Sequence, residues 1–221
     1  MYIANNESVF TKEMKDTHTI LAPTMLPIHF KIIGNILRNN GYKIEFLEGN
    51  KDEIIHLGLK FTNNDICYPA MLVVGQFIEA LKSGKYDVNK VALLMTQTGG
   101  GCRASNYIHL IRKALISSGY GHVPVISLSP SGIEKNPGFK LKPSLIVKLL
   151  YSVYYGDLIM NLYNQCKPYE INNLDSDKVV EESIKDISNK FNKLGFLNLR
   201  KNFKYILNEF SKIERNNIKK I

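Results

Sequence analysis

The sequence predicts an α/β fold with a four-stranded parallel sheet flanked by helices, followed by a C-terminal helical segment. Three observations carry that expectation. Apolar runs of strand character alternate regularly with stretches of helical spacing. The helical stretches between them close on glycine, at Asn40-Gly41, Ser83-Gly84 and Ser118-Gly119. Beyond about residue 141 the pattern becomes almost wholly helical. The expected organisation is therefore an α/β domain over 1–140 and a helical segment over 141–221 packing on it.

Taken in order, Thr19 to Thr24 is a short apolar strand that ends at a proline-flanked turn. Ile28 to Arg38 places Ile28, Ile32, Ile33, Ile36 and Leu37 at helical spacing. Tyr42 to Leu47 alternates as a half-buried strand, and Tyr68 to Leu81 reads as a buried helix. Val91 to Thr96 is a continuous apolar strand that runs into the polar loop Gln97-Thr98-Gly99-Gly100-Gly101-Cys102-Arg103. A helix over Ser105 to Ser117 and a fourth strand over Val123 to Leu128 complete the domain. Right-handed crossovers then bring the loops that follow the strands to one common edge.

The chain has 221 residues and a net charge of +9, with 44% hydrophobic and 22% charged residues, which suits one well-buried core. The apolar run Leu145 to Tyr155 is broken by Lys148 and is short for a bilayer span. Residues 1–17 carry no apolar signal core, so no secretory signal and no membrane role are expected, and the expected location is cytoplasmic. Residues 178–221 hold 11 Lys and Arg against 5 Asp and Glu, or +6 of the +9. Those charges alternate with Phe191, Leu194, Phe203, Ile206 and Phe210, which predicts amphipathic helices with solvated basic faces. No nucleic-acid recognition motif accompanies them.

Three cysteines without an export signal point to metal binding, redox chemistry or plain burial rather than disulfides. Cys67 stands where a helix should begin, with Pro69 in its first turn, so the helix dipole and unpaired N–H groups favour a thiolate there. Cys102 follows three glycines and precedes another helix. Gly99, Gly100 and Gly101 let the backbone approach a bulky inorganic or phosphate group, and Arg103 adds a fixed positive charge. Each feature has a plainer reading, because an isolated cysteine is most often a small buried hydrophobe and a lone glycine run identifies no ligand. Both loops nevertheless fall at the edge where open α/β sheets bind ligands. Cys166, beside Gln165, Lys167 and Pro168, reads as a helix end.

These loops carry a resemblance. Asn63 to Ala70, the stretch Gly75 to Asp87, and Gln97 to Tyr107 closely resemble the 2-hydroxyacyl-CoA dehydratase family, in particular the dehydratase-like segment of its long fused activase proteins. Pro23-Thr24-Met25, Pro27 to Phe30 and Val123 to Leu128 fit the same pattern, so the likeness spans about residues 18–170. The resemblance implies Rossmann-like or flavodoxin-like domains holding a [4Fe–4S] cluster, with Cys67 and Cys102 at cluster-ligand positions. It also implies an ATP-dependent activator that delivers a low-potential electron, and a second dehydratase-type subunit or domain. The implied chemistry is one-electron reduction of a 2-hydroxyacyl-CoA thioester carbonyl, whose ketyl radical expels the neighbouring hydroxyl. Nothing in this chain resembles the activator's ATP-binding domain. Cys166 matches no family cysteine, and the family's further domain would begin about where this chain ends.

Several residues keep two readings. Arg103 and Asn106 suit either orienting a cluster or CoA group, or cap and surface roles. His29 and His109 read as structural, Asp65 as a helix cap, and Gln97 and Thr98 as polar contacts to a ligand. Three functions follow: an iron–sulfur component of a CoA-linked dehydratase or reductase system, a non-catalytic scaffold that binds no complete cluster alone, or a phosphate or CoA site at Gly99–Gly101 with both cysteines incidental.

Overall fold

The computed structural model describes residues 8–63, 65–96, 107–128 and 136–216. It is an α/β structure whose four strands are all parallel, with helices flanking the sheet, consistent with a Rossmann-like or flavodoxin-like fold. Contacts group the chain into two compact units: Met1–Thr24 with Gly41–Lys140, and Met25–Asn40 with Leu141–Ile221.

The first unit holds the sheet. Strands β1 (Thr19–Pro23), β2 (Ile44–Leu47), β3 (Val91–Thr96) and β4 (Val125–Leu128) lie in the order β2-β1-β3-β4. Leu21 pairs with Leu93, and Leu93 with Val125. Strand β3 is central and buried along all but its last residue. A parallel strand covered on both faces has no polar side, which explains its unbroken apolar run. Helices α4 (Tyr68–Lys82) and α5 (Tyr107–Ser118) supply Phe77, Leu81, Ile108, Ile111 and Leu115 to the same core. Gly119 closes α5 at φ +87°, a conformation that other residues rarely adopt.

The structure departs from the expected elements at several places. Tyr42 and Lys43 precede β2 rather than belonging to it. The Tyr42 ring is buried, and its hydroxyl accepts from the Lys140 N–H at 3.1 Å. Val123 and Pro124 precede β4, although the Pro124 carbonyl still accepts from the Leu93 N–H at 2.8 Å. A short helix α1 (Met14–Thr17) and a full helix α3 (Lys51–Phe61) were not anticipated. Asn50 starts α3, its side chain accepting from the Asp52 N–H at 2.9 Å, and Asp52 and Glu53 complement the helix dipole.

The second unit is helical. It comprises α2 (Pro27–Asn39), α6 (Pro143–Cys166), α7 (Asp175–Asn192) and α8 (Leu199–Ser211). The buried face of α2 carries His29, Ile32, Gly34, Ile36 and Leu37, whereas Ile28 and Ile33 are only half-buried. Tyr155, Phe191, Phe196 and Phe203 form an aromatic cluster with edge-on and stacked contacts. Within it the Tyr155 hydroxyl donates to the Phe196 carbonyl at 2.6 Å. The Asn202 amide donates to Tyr155 Oη at 2.7 Å and to the Gly195 carbonyl at 3.0 Å. The cluster is therefore internally satisfied. Phe191, Ile206 and Phe210 are buried as the spacing predicts. Leu194 is not: it turns the chain at φ 57° and is 62% exposed.

Helix α6 is longer than its apolar run suggests. Pro143–Tyr169 has the length of a bilayer span and contains an 18-residue window of mean hydropathy 1.2, of which 28% is buried, with Leu145, Tyr155 and Ile159 among the buried residues. After α6, Glu170 organises the start of α7. Its carboxylate accepts from the Leu174 and Ser176 N–H groups at 3.0 and 2.8 Å and from Lys167 Nζ at 2.6 Å. Lys167 reaches Asp177 as well, at 2.5 Å. The Lys167 ammonium and the Ser176 N–H hold the Glu170 carboxyl at about 2, well below its ordinary value. Because the native state holds the lower value, the stabilisation is complete above roughly pH 4.5 and disappears as pH falls toward 2. Urea unfolding followed at pH 5 and pH 2.5 should therefore show a loss of stability on acidification that shrinks in Glu170→Gln. An unchanged acid dependence in that variant would place the sensitivity elsewhere.

Candidate functional site

The strand order places the change of direction between β1 and β3, since the chain moves from β1 outward to β2 and then returns to β3. In open parallel sheets the crevice beyond the carboxyl ends of those two strands is the usual ligand site. Strand β3 ends there at Thr96, and the chain is next described at Tyr107, the start of α5. Gln97, Thr98, Gly99, Gly100, Gly101, Cys102, Arg103 and Asn106 all lie outside the described residues.

Cys67 is described. It is exposed and is the N-cap residue of α4, and among the described residues no side-chain bond caps that helix. Gln76 Oε1 accepts from the Thr24 N–H at 3.1 Å, which pins the middle of α4 to the carboxyl end of β1. The helix then leads through Lys82 into the amino end of β3, so its own amino end faces the opposite, carboxyl side. Cys67 lies nine residues before Gln76, about 13 Å of helix rise. Tyr68 and Pro69 beside it are exposed, and the first turn of α4 contains no acidic residue. Pro69 has no N–H, which leaves the Tyr68 and Ala70 N–H groups as the donors of the turn that have no partner within the helix. Asp65 is exposed and makes no hydrogen bond to the start of α4 among the described residues, so the expected cap is absent.

The crossing of α3 and α4 holds this loop. A Cβ at Gly58 would come within 2.6 Å of the Met71 carbonyl oxygen, and one at Gly75 within 2.0 Å of the Ile54 carbonyl oxygen. Two glycines thus allow backbone-to-backbone contact, and residues 62–67 are the short span that joins the two helices.

A chemical fit to an iron–sulfur cluster is partial. An exposed thiol at an uncapped helix start suits one thiolate ligand, and a cubane takes four. Among the described residues no group of three or more His, Cys, Asp or Glu side chains is arranged to hold a metal. Cys166 does not help, because it is buried at the end of α6, where burial raises its thiol above the ordinary value.

The helical unit contains a second constellation that sequence reasoning treated as an isolated structural histidine. His29 Nε2 pairs with Asp157 Oδ1 at 2.9 Å, and the histidine is 4% exposed. Its Nδ1 is buried and has no hydrogen-bond partner among the described residues. Gly156 lies against the ring: a Cβ there would be 2.3 Å from His29 Cδ2. The residue lines a cavity of about 370 Å³ shared with Lys31, Met160, Tyr163, Asp177 and Glu181. Lys31 pairs with Glu181, and the Tyr163 hydroxyl donates to Asp177 at 3.2 Å. Burial, then the neighbouring Asp177 carboxylate, raises the Tyr163 phenol above its ordinary value. His109, also read as structural, is exposed on α5.

Comparison with family models, with curated proteins and with solved structures finds no match to this chain.

Proposed function

We propose that this chain is an iron–sulfur-binding component of an ATP-activated 2-hydroxyacyl-CoA dehydratase or reductase system. The observation that carries the reading is the placement of Cys67, an exposed thiol at the uncapped start of α4 on the carboxyl side of a parallel sheet. The chain leaves β3 on that same side, immediately before the glycine run and Cys102. In this reading Cys67 and Cys102 are thiolate ligands of a [4Fe–4S] cluster, and Arg103 and Asn106 orient the cluster or a CoA group. Gly99, Gly100 and Gly101 allow the backbone to approach it closely. The cluster would supply a low-potential electron for a CoA thioester, received from an activator protein that hydrolyses ATP. Two thiolates fall short of four, so a second dehydratase-type subunit or domain supplies the remaining ligands. Location in the cytoplasm belongs to the same proposal.

Anaerobic purification with iron and acid-labile sulfide assays tests it. Wild-type protein should carry iron and sulfide in similar amounts with the broad visible absorbance of sulfide-to-iron charge transfer. Cys67→Ala and Cys102→Ala should each lose most of both while keeping the far-UV spectrum of the folded chain. Protein that remains colourless and iron-free after anaerobic reconstitution, alone and with a dehydratase-type partner, would sink the cluster assignment. The scaffold reading would then stand.

A further inference from the structure

Helix α6 is apolar on more sides than the helical unit covers. Leu145, Ser152, Tyr155, Gly156 and Ile159 face inward. Ile146, Val147, Leu150, Val153 and Tyr154 are exposed by 42, 42, 58, 45 and 59%. These five recur at helical spacing and form one continuous stripe. An apolar stripe of this kind on a folded helix marks an interaction surface.

From this stripe we infer that α6 pairs with α6 of a second copy of this chain, antiparallel across a two-fold axis at Leu150. The evidence is the self-complementarity of the sequence about that residue. In an antiparallel pair centred on Leu150, positions equidistant from the centre meet. Ile146 then packs on the partner copy's Tyr154, Val147 on its Val153, and Leu150 on its Leu150. The polar residues match too. Lys142 is the N-cap of α6, whose first turn has no side-chain cap and no acidic residue. The same pairing brings Asp157 of the other copy, 54% exposed on the same stripe, alongside it. An acid thereby meets a lysine and an uncapped helix start, twice per dimer. The partner's Asp157 keeps one oxygen for His29, and its other oxygen, which has no partner among the described residues, is turned to this contact.

The pattern also favours a protein partner over a bilayer. The stripe spans 146–154, about 12 Å of helix, against roughly 30 Å of hydrocarbon. Further along the same face stand the exposed polar residues Asp157, Asn161 and Asn164. The five side chains expose on the order of 500 Å² per copy, so the pair would bury about 1,000 Å², where specific interfaces begin. The dimer should accordingly be reversible and strengthen with concentration.

Sedimentation velocity of the full chain over a wide concentration range tests this. A monomer–dimer equilibrium is expected, and Leu150→Glu should weaken dimerisation at least tenfold with an unchanged far-UV spectrum and melting curve. In a background with Cys67 and Cys102 replaced by serine, Leu150→Cys should oxidise rapidly to a covalent dimer. Ile146→Cys should not, because the two copies of residue 146 lie on opposite sides of the axis. A chain that stays monomeric at high concentration, or a dimer indifferent to Leu150→Glu, would overturn the inference. So would binding to phosphatidylcholine–phosphatidylglycerol vesicles that disappears in Leu150→Glu, since the stripe would then serve a membrane.

Discussion

Gly75→Val is expected to unfold the sheet-bearing unit at room temperature, and Gly75→Ala to destabilise it severely. The two opposing effects can be weighed. Replacing a mid-helix glycine by alanine gains about 1 kcal/mol of helix propensity. Against that, the new Cβ would stand 2.0 Å from the Ile54 carbonyl oxygen and 2.9 Å from its carbon. The obstructing atoms are backbone, so no rotamer change relieves the contact and α3 must move off α4. Overpacking against side chains costs about 1–3 kcal/mol, and a clash with a fixed carbonyl lies at or above the upper end. The carbonyl also belongs to the ladder of α3, so displacing it disturbs that helix as well. Valine adds two further carbons and gains no propensity over alanine. Urea unfolding followed by circular dichroism checks the prediction, with Gly58→Ala as a companion. There the nearest atoms are the Met71 carbonyl oxygen at 2.6 Å and the more yielding Met71 Cγ at 2.9 Å, so a smaller loss is expected. Wild-type stability in Gly75→Ala would mean that the two helices do not cross at this glycine.

The strands were legible because a buried parallel strand leaves a local mark: Val91 to Met95 contains no polar residue and all five are buried. Helix ends on Asn40-Gly41 and Ser118-Gly119 were legible for a similar reason, as Gly41 and Gly119 both adopt positive φ. Helix α3 had a readable start in Asn50, Asp52 and Glu53. Its apolar residues Ile54, Ile55, Leu57, Leu59 and Phe61 blur the helical period, and only Ile54 and Leu57 of them are buried. The placement of Cys67 at a helix start followed from Pro69 and the apolar run after it. The His29–Asp157 pair could not be read in the same way, because the partners are 128 residues apart and neither has a local motif. Its signal is a glycine followed by an aspartate inside a long apolar helix. Glycine is costly there unless something lies against it, and a buried lone histidine elsewhere in the chain needs such a partner.

That reasoning gives the second large effect. Gly156→Ala should destabilise the helical unit by about 2–3 kcal/mol, from overpacking and a lost charge-assisted hydrogen bond, less the propensity gain. The new Cβ would lie 2.3 Å from His29 Cδ2 and 2.7 Å from Cγ and Nε2. Unlike the Ile54 carbonyl, the ring can turn away toward the adjoining cavity, but only by giving up its 2.9 Å bond to Asp157. The cost is therefore a property of one ring, and a double-mutant cycle isolates it. His29→Ala alone should be destabilising, because it empties space in a buried site and leaves Asp157 unpaired. In that background Gly156→Ala should become neutral or stabilising, since only the propensity gain remains. A reversal of sign between the two backgrounds would establish that Gly156 serves to seat the imidazole. An equal loss in both would show instead that α6 meets some other part of α2 at this glycine, and that the histidine is held by Asp157 alone.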